Sequence, residues 1–441
     1  MKPLAVIAFL LLISAAVWGQ DANDGYRKDL DFLKESLEAK YPSLYRFQSK
    51  TTIDSLFNAC TRDINANTSL WEFYRAIKLI VSTIEDGHLS CSPPESLAKQ
   101  IDENSMYFPL RLYFTSDRAF VDCSNLSNFP AGTEITKIND ISIEEIRKKL
   151  FNYIVSDGKI ETKKYWIVNH TFWLYYNLVY GQSDQYRVSY RDNNGQLTNA
   201  SVNGGSLDEI SCTGLAESMD GKLLEFDYMN SSTALLTIRT FAEDELVEAN
   251  LDFEGFLDRV FSDLEQKNTP SLIIDLRGNG GGRDVFGSLL YSYLTDIPFH
   301  YYERLETTEK VLQVQDHPNL GIQKPHDHRF GGKVYILIDG LSFSATSEFC
   351  TVAKNYNRAV FIGEETGGTY CGNTSGEFVE IELPYSKISV AAPTTKYTMF
   401  TIDSTNKDRG IIPDFIIKPT IQDLIAKKDV QLEFAIGLTM E

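Results

Sequence analysis

Apolar positions along the first 90 residues recur at helical spacing. Leu30, Leu33, Leu37 and Tyr41 fall on one face of a first helix that Pro42 ends. Ile53, Leu56, Phe57, Cys60 and Ile64 share a face in a second. Ser69 with Glu72 forms a capping box for a third, which runs through Phe73, Ile77, Ile80, Val81 and Ile84. The spacing predicts an N-terminal helical bundle over 20–100.

Between residues 101 and 210 the period shortens. Phe108–Leu112 and Ala119–Val121 read as strands, and Ile143–Phe151 as a helix. Gln185–Tyr190 and Gln196–Val202 pair around Asn193-Asn194-Gly195, a hairpin turn. Lys163–Tyr180 is aromatic-rich and helical or irregular. It reads as an insertion, either a lid or a substrate-contacting element.

From 211 to 441 strands and helices alternate. Ala234–Arg239, Leu272–Leu276 and Val334–Ile338 are the strands. Leu251–Glu265 and Val285–Leu294 are the helices. Tyr301–Phe330 is a polar excursion with no period. This pattern predicts an α/β core, a mixed sheet covered by helices, within an α+β multidomain chain.

Two segments of that core carry candidate chemistry. The buried strand Ser271–Leu276 runs into Gly278-Asn279-Gly280-Gly281-Gly282, where backbone N–H groups can approach a phosphate or an oxyanion. The loop lacks the Gly-x-Gly-x-x-Gly spacing and the Gly-Lys-Ser/Thr ending of nucleotide sites. Strand Val334–Ile338 turns at Asp339-Gly340-Leu341-Ser342-Phe343-Ser344 into a helix to about Lys354. A serine there is either an exposed nucleophile or a helix cap.

Composition adds location and excludes partners. Met1-Lys2-Pro3 and the apolar run Leu4–Trp18 describe a signal peptide cleaved after Gly19, so the mature chain is expected to be exported. No later segment approaches the ~18 apolar residues of a membrane span. With 61 acidic against 42 basic residues and a formal net charge of −19, nucleic acid is not an expected partner. The six cysteines show no Cys-x-x-Cys or Cys/His metal spacing.

Four motifs in order resemble one family. Asp275-x-Arg277-x-Asn279-x-Gly281-Gly282, Ser344-Ala345-x-Ser347-Glu348, the loop Gly363–Gly368, and Gly410-Ile411-Ile412-Pro413-Asp414 look like the serine peptidases that include C-terminal processing (tail-specific) proteases and the tricorn core protease. Ala131–Asp140 also resembles a PDZ-like segment. The resemblance implies a PDZ-like domain over 101–210 and a ClpP/crotonase-like protease core over 211–441. It implies a peptide or protein substrate and no cofactor or metal. It leaves oligomeric state open.

The resemblance also implies roles. Ser344 is the expected nucleophile, although Ser342 and Ser347 flank it. The family's Ser–Lys branch has its lysine just past the third loop. Here that position is Thr369, and no lysine occurs from Phe361 to Tyr385. Glu85-Asp86-Gly87-His88 resembles the Asp-Gly-His element of the histidine-dependent, tricorn-like branch, which makes His88 the expected base. Imidazole titrates near neutrality and can take the serine proton and return it. Asp408 is the expected third group, with Asp86 as a local alternative. The N–H groups of Ala345 and of Gly280 or Gly281 are the expected oxyanion hole. Asp275 and Arg277 are expected to be structural, and Asn279 to shape the turn. For Cys91 and Cys371, which would border this site, two readings stay open: a mutual disulfide or buried free thiols. A non-catalytic binding protein on the same fold is the alternative reading.

Overall fold

Strand Ser271–Asp275 lies at the centre of a six-stranded sheet and is buried along its whole length. The computed structural model describes residues 23–104, 106–192, 194–215, 221–402 and 407–440. The signal-peptide pattern and the turn residue Asn193 lie outside the described residues. The sheet order is Phe415–Ile416, Val360–Gly363, Lys333–Ile338, Ser271–Asp275, Thr233–Ile238 and Leu224–Tyr228. All pairs are parallel except the last, which is antiparallel.

Alternation along the central strand explains the layering. Leu272 and Ile274 enter one core with helices Phe253–Gln266, Asp284–Ser292 and Ala345–Asn355. Ile273 faces the other side and packs with Tyr335, Leu337, Ile362 and the C-terminal helix Val430–Thr439. Helices on both faces are what a parallel sheet needs, because both of its faces are apolar.

The N-terminal helices span 23–40, Lys50–Asp63 and Leu70–Thr83. The third has both halves of its capping box and buries Phe73, Ile77, Ile80 and Val81. Each such side chain stabilises by about 1.5–3 kcal/mol, against about 1 kcal/mol for the cap. Packing therefore fixes this helix more than its cap does. The bundle does not close its own core. It shares one with Ile381, Leu383, Ile388, Val390 and Ala392 of the hairpin Thr374–Glu382/Ser389–Met399. The short strand Ser90–Ser92, just after His88, pairs with that hairpin through Ser90–Ala391 and Cys91–Val390.

Residues 111–203 form a second, antiparallel sheet, in which Gln185–Arg191 pairs with Leu197–Asn203 as expected. The aromatic-rich stretch is a helix, Thr162–Tyr180, broken at Thr171. Part of it is core to this unit. Val168, Phe172, Tyr176 and Val179 are buried in the core of this sheet. Of the two readings for Cys91 and Cys371, the mutual disulfide is not formed; Cys123 bridges Cys212 instead. The polar excursion includes strand Tyr302–Glu306, which pairs with Ser389–Met399.

Candidate active site

The turn that carries Ser344 is built from the carboxylate of Asp339. Its Oδ1 accepts from the N–H groups of Leu341 (2.9 Å), Ser342 (3.0 Å) and Gly278 (3.1 Å). The Ser342 hydroxyl donates to Leu276 O at 2.9 Å, so this buried serine ties the turn to the glycine loop. The Ser347 hydroxyl donates back to Ser344 O at 2.8 Å. Ser344 differs from both. Its φ is 53° and its ψ −128°, a conformation that costs a non-glycine residue about 1–3 kcal/mol, and its side chain caps nothing. Its Oγ lies 3.1 Å from His88 Nε2.

His88 reaches this point from a turn held on both sides. Gly158 N–H donates to Glu85 O at 2.9 Å, and Gly87 N–H to Asp157 Oδ1 at 2.7 Å. The His88 ring also packs on Phe343 with centroids 4.4 Å apart. Asp86 is buried beside it. Its Oδ1 accepts from His88 N–H at 2.8 Å and lies 3.8 Å from His88 Nδ1. Its Oδ2 accepts from the Tyr41 hydroxyl at 2.5 Å.

Burial alone would raise the pKa of Asp86. The hydrogen bonds and charge of His88 and the Tyr41 hydroxyl outweigh it and hold the carboxyl below its ordinary range. Asp157 goes the other way, raised by burial and then by the charge of Asp86. Asp86, His88 and Asp157 bring ligand-type atoms within 4.8 Å of one another. The cation facing the two carboxylates is Lys163, which nothing in the sequence singled out. It is buried, and burial lowers its pKa to about 8 even though Asp157 and Asp86 oppose that shift.

Asp408 is not brought to this cluster. It is exposed, and its backbone carbonyl accepts from Lys159 N–H at 2.9 Å. The carboxylate against the imidazole is Asp86. Nearby, Glu365 accepts from Arg409 at 2.7 Å and from Gly410 N–H at 2.9 Å, joining the third and fourth motifs.

The glycine loop meets Ser344 at Gly281. A Cβ added there would lie 2.6 Å from Ser344 Cβ and 3.0 Å from Ala345 N, at a φ of +100°. Only glycine fits. The N–H of Gly281, however, donates to Asn279 Oδ1 at 2.9 Å. Gly281 thus supplies close approach, not a donor. Space is open at Gly280, where an added Cβ would meet nothing within 4 Å. Asn279 shapes the turn through its side chain, which also donates to Ile238 O at 3.1 Å; its own φ is not positive.

Asp275 and Arg277 are tied into the framework. Arg277 pairs with Asp275 (2.8 Å) and Asp429 (2.7 Å), and Arg239 also reaches Asp275 (2.8 Å). Burial would raise the Asp275 pKa, but the two guanidiniums hold it far below the usual carboxylate range.

Residues 232–417 match the model of peptidase family S41. The tail-specific protease of Haemophilus influenzae is 29% identical over 109 residues, which are 24% of this chain and 14% of that protein. The match thus spans a small part of that relative. The structure of mature CPAF complexed with lactacystin superposes with a TM-score of 0.68 at 15% identity, covering 95% of this chain and 98% of CPAF. Mature CPAF alone gives 0.68 at 14%, covering 95% and 96%. These likenesses show a common fold over nearly the whole chain. No helix among the described residues is long and apolar enough to cross a membrane.

Proposed function

We propose that this chain, whose residues 232–417 carry the peptidase family S41 core, is a histidine-dependent serine peptidase. Ser344 Oγ attacks the scissile carbonyl carbon while His88 Nε2 takes its proton. The imidazolium returns that proton to the leaving amine, and water then hydrolyses the acyl-enzyme by the same route. Asp86 orients and stabilises the imidazolium. The N–H groups of Ala345 and Gly280 receive the oxyanion.

The observation that carries this reading is the 3.1 Å approach of His88 Nε2 to Ser344 Oγ at a strained strand-to-helix turn. The substrate is a peptide or protein. Cleavage near C-termini is supported by the name of the Haemophilus relative. Export is supported by the pattern of residues 1–19. The antiparallel sheet of residues 111–203 supports a PDZ-like unit.

Fluorophosphonate labelling with peptide mass mapping tests the reading. The expected adduct is on Ser344 and is absent in His88→Ala. Folded wild-type protein that takes up no label would overturn it and favour a binding role.

A further inference from the structure

Lys163 joins the residue before the base to the residue before the nucleophile. Its ammonium donates to Gly87 O at 3.1 Å and sits 3.0 Å from the ring centroid of Phe343. A Cβ added at Gly87 would fall 2.6 Å from Lys163 Nζ and 3.0 Å from the Phe343 ring. The backbone closes in as well. A Cβ at Gly340 would strike Thr162 O at 2.2 Å and Lys163 N at 2.8 Å, and one at Gly367 would touch Lys163 Cβ at 3.5 Å. The start of helix Thr162–Tyr180 is therefore wedged between the His88 turn, the Ser344 turn and the third motif.

Resting on the peptidase reading, we infer that Lys163 is a positioning residue. Its charged ammonium clamps the His88 turn to the Ser344 turn and sets the distance between base and nucleophile. Three forces require the charge. A cation over an aromatic face is attracted by the ring, more strongly once desolvated. A charged donor strengthens the bond to Gly87 O. The Asp86–Asp157 pair needs a counter-charge, since a buried carboxylate pair without one is strongly disfavoured.

The groups facing Lys163 set its titration. Asp86 and Asp157 approach from the two turns below it, with His88 beyond Gly87. Asp339, on the Ser344 turn, is taken up by backbone N–H groups. Glu365, beside the third motif, is taken up by Arg409. With its pKa lowered to about 8, Lys163 loses its charge in mildly alkaline solution, and the clamp loosens there.

The test is the fluorophosphonate labelling rate of Ser344 from pH 6 to 10 in wild type, Lys163→Met and Lys163→Arg, with folding checked by circular dichroism. Wild type is expected to lose rate above about pH 8. Lys163→Met is expected to label at least ten-fold slower, without that alkaline limb. Lys163→Arg keeps its charge, so it is expected to label faster than Lys163→Met and also to lack the limb. A role in mere packing would leave the pH profile unmoved. Lys163→Met labelling at the wild-type rate with the limb intact overturns the inference. If Lys163→Met does not fold, a limb near pH 8 in both wild type and Lys163→Arg overturns it. Wild type unlabelled at Ser344 is a different failure, that of the peptidase reading itself, and the inference falls with it.

Discussion

His88 Nδ1 and Asp86 Oδ1 face each other at 3.8 Å, too far for a full hydrogen bond, while the same oxygen accepts from the backbone N–H of His88 at 2.8 Å. The carboxylate is thus fixed by the main chain of the residue it serves. A slight rotation of the ring would complete the contact. Catalytic hydrogen bonds are often long without substrate and shorten in the reacting complex.

Asp86→Asn is therefore expected to slow Ser344 labelling by up to about 10⁴-fold, the loss seen when the triad carboxylate beside an imidazole is made an amide. Asp408→Asn is expected to stay within about two-fold of wild type, as its side chain is exposed. Labelling rates of the two variants side by side check this. Equal losses would return Asp408 to the site.

Gly281→Ala is expected to abolish labelling. Its Cβ would overlap Ser344 Cβ at 2.6 Å and Phe343 O at 2.8 Å, which must push the nucleophile off His88. Gly280→Ala has room, so its melting temperature should match wild type within about 2 °C. Thermal melts paired with labelling separate the two effects.

Glu348, one helical turn past Ser344, is fully buried, and its Oε2 accepts from Tyr302 at 2.7 Å. Burial and then the charge of Asp284 raise its pKa to about 8. Between about pH 4.5 and 8 the folded state binds the extra proton, so stability falls as pH rises through that window. Glu348→Gln should remove this slope and add about 2–4 kcal/mol at pH 8. Its amide can still meet both partners: the carbonyl accepts from Asn373, and Tyr302 can donate to Asp284 while accepting from the amide N–H. Urea unfolding at pH 5 and pH 8 checks it.

Lys163 gives a slope of the opposite sign. Its pKa drops from 10.5 to about 8 on folding, so the unfolded chain binds more protons between those values and stability rises with pH there. Below pH 8 the buried charge costs about 3 kcal/mol. Lys163→Met should therefore lose this slope, while leaving Asp86 and Asp157 without their counter-charge. Denaturant unfolding of both proteins at pH 8 and 10.5 should show the rise with pH in wild type only.

Much of this was legible in the residues. Leu272 and Ile274 announce a buried strand, and the Ser344 and His88 motifs come together in the fold despite lying 256 residues apart. The preference for Ser344 over Ser342 and Ser347 rests on where each hydroxyl points, which spacing does not reveal. Lys163 was invisible because a buried lysine in Lys163-Lys164-Tyr165-Trp166 reads like a solvated helix start. Asp408 was chosen for its proximity to a motif in sequence, whereas the structure leaves its side chain exposed and puts Asp86 against the imidazole. The pairing of Cys123 with Cys212 is likewise set by tertiary contact across a separation of 89 residues.

The strand that follows His88 has its partner some 300 residues further on, at Ser389–Ala391. During synthesis, then, His88 and Ser344 are both made before the hairpin that pairs with the strand after His88. A growing chain short of residue 389 has the Lys163 contact between the two turns available to it, but not this sheet contact.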